Sequence, residues 1–283
     1  MADYFISRGL PVPRELSRNP LHHWKRWLGI VTTFAVLWVG VQLSEIDISR
    51  ANPGYFLNVL SQLAQPDWSI LGPQNEFETW KDGALGLMVT TIFLGIVATA
   101  IAVVIALPLS FLGARNIMAG HPITAAVYTA VRLLFTILRS IDVLIIVILA
   151  LTLFGLGSAS GVFAIALHTI GVIGKLYSEA IEGIDAGPIE AITATGANRF
   201  QVIWSAVVPQ IVNPFISFTI YRLDTSVRLA PVIGLVGGGG IGVMLFQTIQ
   251  LTQYHRAGVI ILLIVVTVAV MDFVSAQVRR RLI

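Results

Sequence analysis

Three charged residues, Arg222, Asp224 and Arg228, stand in an otherwise apolar stretch 13 to 19 residues beyond Pro209. A helix rising about 1.5 Å per residue carries that distance past the middle of a bilayer. Charges at such a depth are costly and turn toward a cavity or toward one another. The planar guanidinium fork suits an oxyanion. One reading has Arg228 facing a solute pathway while Arg222 pairs with Asp224. The other makes all three a structural ion cluster or part of an outer loop.

Two further constellations carry chemistry of position. Gly237, Gly238, Gly239 and Gly240, followed by Gly242, would strand backbone polar groups in lipid. The segment must therefore be buried in protein or line a cavity. It reads as a flexible gate beside a pathway, or as an irregular turn. Upstream, Glu190-Ala191 is followed by Gly196, six positions after the glutamate, and by Pro209, nineteen after it. This predicts a short helix bearing a carboxylate, a glycine able to take positive φ, and a second helix entering the membrane. Such an elbow can be gripped from the cytosol. Lys175 with Glu179 and Arg139 with Asp142 have the spacing of local helix pairs.

Catalysis finds no such set. Ser160 and His168 are separated by eight residues, about 12 Å along one helix, too far for a nucleophile and its base. No His-Glu-x-x-His motif occurs, the five histidines are scattered, and cysteine is absent. The phosphate-cradling pattern Gly-x-x-x-x-Gly-Lys-Ser/Thr is missing too, so any ATP-driven work needs a separate ATPase chain.

The elements that position these residues follow from hydrophobicity. Apolar types fill 56% of 283 positions and charged types 12%, and mean hydropathy is +0.84. That composition predicts an all-α, polytopic helix bundle with a lipid bilayer as its solvent. The pI near 9.4 comes from basic residues at the chain ends and in short loops, which argues against a nucleic-acid partner. About six spans are expected. Residues 1–26 form a cytoplasmic segment, 27–43 an anchor helix, 44–82 an extracytoplasmic loop holding Trp68 and Trp80, and 83–283 a core domain. Within that core, Ala98, Ala102 and Ala106 beside Thr91, Gly95 and Thr99 predict close helix packing. The turn-forming run Gly155 to Gly161 predicts a helical hairpin, whose first arm reaches back toward Thr124. Five Lys or Arg precede the first span and three follow the last, while 44–82 holds two against six acids. Both termini and the loop 184–200 are therefore expected in the cytoplasm.

The elbow resembles the shared loop of permease subunits of ABC importers: Glu-Ala-Ala, three residues, Gly, nine residues, Ile, one residue, Leu-Pro. The spacing agrees throughout, with Ile192, Ala206 and Val208 as apolar replacements. The runs His168 to Val172, Lys175 to Ala180, Gly187-Pro188, Ala194 to Ala197, Pro209-Gln210, Tyr221-Arg222, Val227-Arg228 and Gly237 to Gly242 are similar to the phosphonate-importer permease, from about Gly83 onward. Gly238 replaces a usual Ala, and Ser226 a usual Asn. The glycine segment alone is shared with methionine and quaternary-amine permeases.

The resemblance implies a type I importer permease fold in a bacterial inner membrane. It implies that Glu190, Ala191, Ala194, Gly196, Ala197 and Asn198, with Pro209 closing the elbow, meet an ATPase. Two ATP-binding subunits, a second permease chain as a homodimer, and an extracytoplasmic phosphonate- or phosphate-binding protein are the implied partners. This chain would bind no cofactor, ATP and Mg belonging to the ATPase. A stand-alone secondary transporter is the rival from another class, but no internal repeat of the kind such proteins show is evident.

Overall fold

The computed structural model describes residues 7–9, 21–44, 52–73, 79–118 and 121–282. The expectations for residues 10–20, 45–51 and 74–78, including Arg14, Arg18 and most of the acids of the outer loop, lie outside them. The chain divides into two units, residues 1–57 and 58–283.

The first unit holds α1 (Leu21–Leu43), whose apolar side chains Phe34, Val36, Leu37 and Trp38 are exposed. Its apolar part, Trp27–Leu43, is shorter than each of the five membrane-length stretches of the second unit. A second helix, α2 (Pro53–Leu63), occupies the predicted outer loop.

In the second unit a 3₁₀ turn at Trp68–Leu71 leads to α3 (Ala84–Leu112), α4 (Arg115–Met118), α5 (Pro122–Ser140), α6 (Val143–Phe154) and α7 (Ser158–Glu182). Beyond them lie α8 (Ala186–Ala194), α9 (Arg199–Val202), a π-helical turn at Ile203–Val207, α10 (Val208–Leu235), α11 (Ile241–Gln250) and α12 (Tyr254–Leu282). Among the described residues there is no strand. Five helical stretches are long and apolar enough to cross a membrane: Ala84–Leu112, Pro122–Ser140, Ser158–Glu182, Phe200–Leu235 and Tyr254–Arg280.

Small residues set the packing. Ala98, Ala102 and Ala106 of α3 are fully buried, as are Thr91 and Thr99 to within 2%. The predicted ridge is thus a contact surface, and α3 packs against α7 more extensively than any other pair. A methyl on Gly174 would meet the Phe135 ring at 2.3 Å, and one on Gly95 would meet Val227 at 2.7 Å. Glycine therefore fixes how closely α5 and α10 approach their neighbours.

The first arm of the predicted hairpin is not one helix. The chain leaves the helix after Ser140, Ile141 takes an extended conformation, and Asp142 caps α6 by accepting from the Leu144 amide at 2.8 Å. An aspartate offers the backbone a cap in place of a helical bond, and so ends the arm. The expected Arg139–Asp142 pair is lost with it. His168 of α7 contacts the freed Ile141 carbonyl through Nδ1 at 3.1 Å.

Candidate functional site: elbow, charge cluster and membrane-embedded arginines

The elbow is built from polar loop chemistry on an apolar base. Asp185 caps α8 by accepting from the Gly187 amide at 3.1 Å. The helix ends at Thr195, and Gly196 follows with φ +81°, the conformation predicted for it. Asn198 and Gln201 then exchange amide-to-side-chain hydrogen bonds at 2.9 Å each, a reciprocal cap for α9. Beneath, Ile184 and Ile189 pack on Tyr177, Ile181, Val207 and Ile211. The opposite face presents Glu190, Ala191 and Ala194, all exposed, with Gly196 and Asn198 exposed beside them and Ala197 half-buried.

Pro209 lies in the first turn of α10, where its missing N–H costs nothing. Its neighbour Gln210 ties both ends of the elbow together. Gln210 Oε1 accepts from the Asp185 amide at 2.9 Å, and its Nε2 donates to the Ala206 carbonyl at 2.8 Å. Sequence reasoning gave Gln210 no role, although its place after Pro209 was its one signal. A cleft of about 330 Å³ lies between the elbow and the helix ends, lined by Ile117, Ile184, Ile189, Val202, Ile203 and Val207.

A charge cluster that the sequence did not reveal joins α3, α4, α5 and α7 next to the elbow. Arg132 pairs closely with Glu182, lies 3.7 Å from Glu179, and donates through Nε to the Gly113 carbonyl at 3.0 Å. Glu182 also accepts from the Arg115 amide at 2.8 Å. The expected Lys175–Glu179 pair is present at 3.7 Å. These partners lie about 50 and 67 positions apart, beyond local spacing rules.

The intramembrane charges are arranged differently from the expectation. Asp224 pairs with Arg228 at 3.2 Å, and Arg228 also binds Asp272 of α12 at 2.5 Å. Arg222 does not pair with Asp224. Residues two apart on a helix point to different faces, whereas four apart they meet. Arg228 is half-exposed but held by two carboxylates, while Arg222 is 6% exposed and its Nε lies 3.4 Å from the Thr169 hydroxyl.

The glycine turn is buried, as its composition required. Gly237, Gly239 and Gly240 have φ of +99°, +85° and +71°, and Gly238 to Gly240 are buried with Gly242. The Gly237 carbonyl accepts from the Gly157 amide at 3.0 Å, and the Ile241 amide donates to the Thr91 hydroxyl at 2.8 Å. A cleft of about 500 Å³ opens beside it, lined by Asp82, Gly157, Gly237, Gly239, Gly240 and Gln247 among others.

Known proteins share this architecture. The profile of the family described as binding-protein-dependent transport system inner membrane component matches residues 116–283. The phosphite transport system permease protein PtxC of Stutzerimonas stutzeri is 34% identical over 258 residues, covering 91% of this chain and 90% of that protein. The putative cryptic phosphonate transport system permease protein PhnE2 of Escherichia coli (strain K12) is 45% identical over 120 residues, 42% of this chain and 98% of that one. Among solved structures, a chain of the inward-facing MetNI methionine ABC transporter aligns with a TM-score of 0.62 and 20% identity, covering 71% of this chain and 96% of that chain. That likeness establishes the fold, which is the type I importer permease bundle expected from the sequence. With the profile spanning more than half the chain and a relative aligned over nearly its whole length, this protein belongs to the inner membrane components of binding-protein-dependent transport systems.

Proposed function

We propose that this chain is the membrane-spanning subunit through which an ATP-driven importer passes a small phosphorus oxyanion, phosphonate, phosphite or phosphate, into the cytoplasm. The exposed α8 elbow carries the reading: it is capped at both ends, seated on an apolar base, and spaced as the coupling loop of importer permeases. The substrate class rests on the relatives, which include permeases named for phosphite and phosphonate.

In this reading two copies of the chain form the pore, with both termini in the cytoplasm. Each offers Glu190, Ala191, Ala194, Gly196, Ala197 and Asn198 to one of two ATP-binding subunits, which hold ATP and Mg. An extracytoplasmic binding protein delivers the anion at the outer face. ATP binding closes the ATPase pair and swings the elbows, and Gln210 passes that swing to α7 and α10 because it bonds to both ends. The glycine turn, beside the cleft lined by Asp82 and Gln247, serves as the gate. Coupling requires the two states to hold ATP differently, which the ATPase supplies and this chain transmits.

Co-purification with the ATP-binding subunit tests the reading, together with ATPase activity in the presence of phosphite-loaded binding protein. The expected result is a stable complex whose hydrolysis rises with the loaded protein. A chain that purifies with no ATPase would refute it.

A further inference from the structure

Arg222 is the least compensated charge among the described residues. The residue is 6% exposed, its Nη2 has no hydrogen-bond partner, and it forms no ion pair among the described residues. Asp224 and Asp272 are both engaged with Arg228. Ser226, one turn further along the same face of α10, is fully buried and its hydroxyl is also unpartnered. Thr169, fully buried on α7, completes the group. Buried polar atoms are nearly always satisfied, and a charged one left bare inside a membrane is costlier still. Three buried atoms of α10 are thus bare: Arg222 Nη2 and Ser226 Oγ on one face of the helix, and Asp224 Oδ1 on the side chain that pairs with Arg228.

We propose that Arg222, Ser226 and Thr169 form an oxyanion subsite on the translocation route, closed over in this conformation and opened when α7 and α10 part. The inference rests on the permease reading above and deepens it. The set consists of donors without a counter-charge, so it selects an acceptor-rich anion and rejects a cation. Arg228, which sequence reasoning placed on the pathway, is the weaker candidate. Its guanidinium is already held by the Asp224 and Asp272 carboxylates, which an anion would have to displace. Thr169 lies thirteen residues from Glu182 in α7, roughly 20 Å along the helix, so a lipid headgroup phosphate does not reach it and a permeating solute does.

The test uses the full complex in liposomes with saturating loaded binding protein, reading anions imported per ATP hydrolysed for phosphite, phosphate, methylphosphonate and, separately, methionine. Wild type is measured first. If it imports methionine and none of the oxyanions, the substrate reading itself fails. If it imports an oxyanion, Arg222→Gln should lower import per ATP roughly tenfold or more, because a charge-assisted contact is removed. Arg222→Lys, keeping the charge, should retain clearly more than Arg222→Gln. Ser226→Ala and Thr169→Val should each lower import per ATP severalfold. Equal activity of Arg222→Lys and Arg222→Gln, or import per ATP unchanged, would overturn the subsite. Should Arg222→Gln fail to assemble, the two hydroxyl variants decide: wild-type import per ATP in both refutes the proposal.

Discussion

A single methyl group at Gly242 tests how the glycine turn is held. A Cβ built there would lie 2.0 Å from the Pro231 carbonyl oxygen and 2.7 Å from Gly234 Cα. Both obstacles are backbone, so no side chain can rotate away. Real Cβ contacts essentially never fall below 3.0 Å, so α10 and α11 must part by at least about 1 Å where they meet. Overpacking a well-fitted contact costs about 1–3 kcal/mol, and more where backbone must move. Alanine returns only about 0.5–1 kcal/mol through lower chain entropy. The net for Gly242→Ala is a loss of roughly 1–2 kcal/mol, or more. Gly183→Ala is the matched control: its Cβ meets nothing closer than 3.4 Å, and φ there is −87°. Unfolding the purified protein in mixed detergent–SDS micelles should show the first destabilised and the second within about 0.5 kcal/mol of wild type. Equal stability of the two variants would refute the close approach of α10 and α11.

Other perturbations follow from the same geometry. Arg132→Gln removes the bonds to Glu182 and the Gly113 carbonyl, both in a site less than a third exposed, and should cost about 1.5–3 kcal/mol in the same unfolding assay. Gly196→Ala forces a side chain into φ +81° at a cost of roughly 1–2 kcal/mol and should reduce the co-purified ATPase, whereas Gly196→Asn, which tolerates that region better, should keep more of it. Asp67, which accepts from Ser69 and pairs with Arg256 at 3.2 Å, is held below the usual aspartate range by Ser69 first and Arg256 second. Its depressed folded value means that the latch is fully formed above the ordinary pKa of about 3.9 and is lost as pH falls through the lower folded value. Hydrogen exchange of the Ser69 amide should quicken across that acidic window relative to its intrinsic rate, and Asp67→Asn should abolish the pH dependence.

Elements with strong local signals were legible in the sequence. The alanine ridge of α3, the positive φ of Gly196 and the burial of the glycine turn each follow from residue types at short spacing. The Lys175–Glu179 pair does too. What the sequence withheld depends on tertiary neighbours. The break at Ile141 hides inside an apolar run because hydrophobicity does not register a cap, and only Asp142 marked it. The exchange of partners between Arg222 and Arg228 was half legible, since helix geometry alone favours Asp224 with Arg228, but Asp272 comes from another helix 44 positions away. The Arg132–Glu182 cluster and the Gln210 tie join distant segments in the same way, and no periodicity could announce them.

In the proposed role this chain transmits force from a separate ATPase to move a phosphorus oxyanion. Uptake of radiolabelled phosphate, with phosphite and methylphosphonate as competitors, into liposomes holding the reconstituted complex tests it most directly. Uptake is expected only with ATP inside, ATPase present and loaded binding protein outside, and none from the chain alone under an ion gradient. Accumulation by the isolated chain driven by that gradient, without ATP, would contradict it.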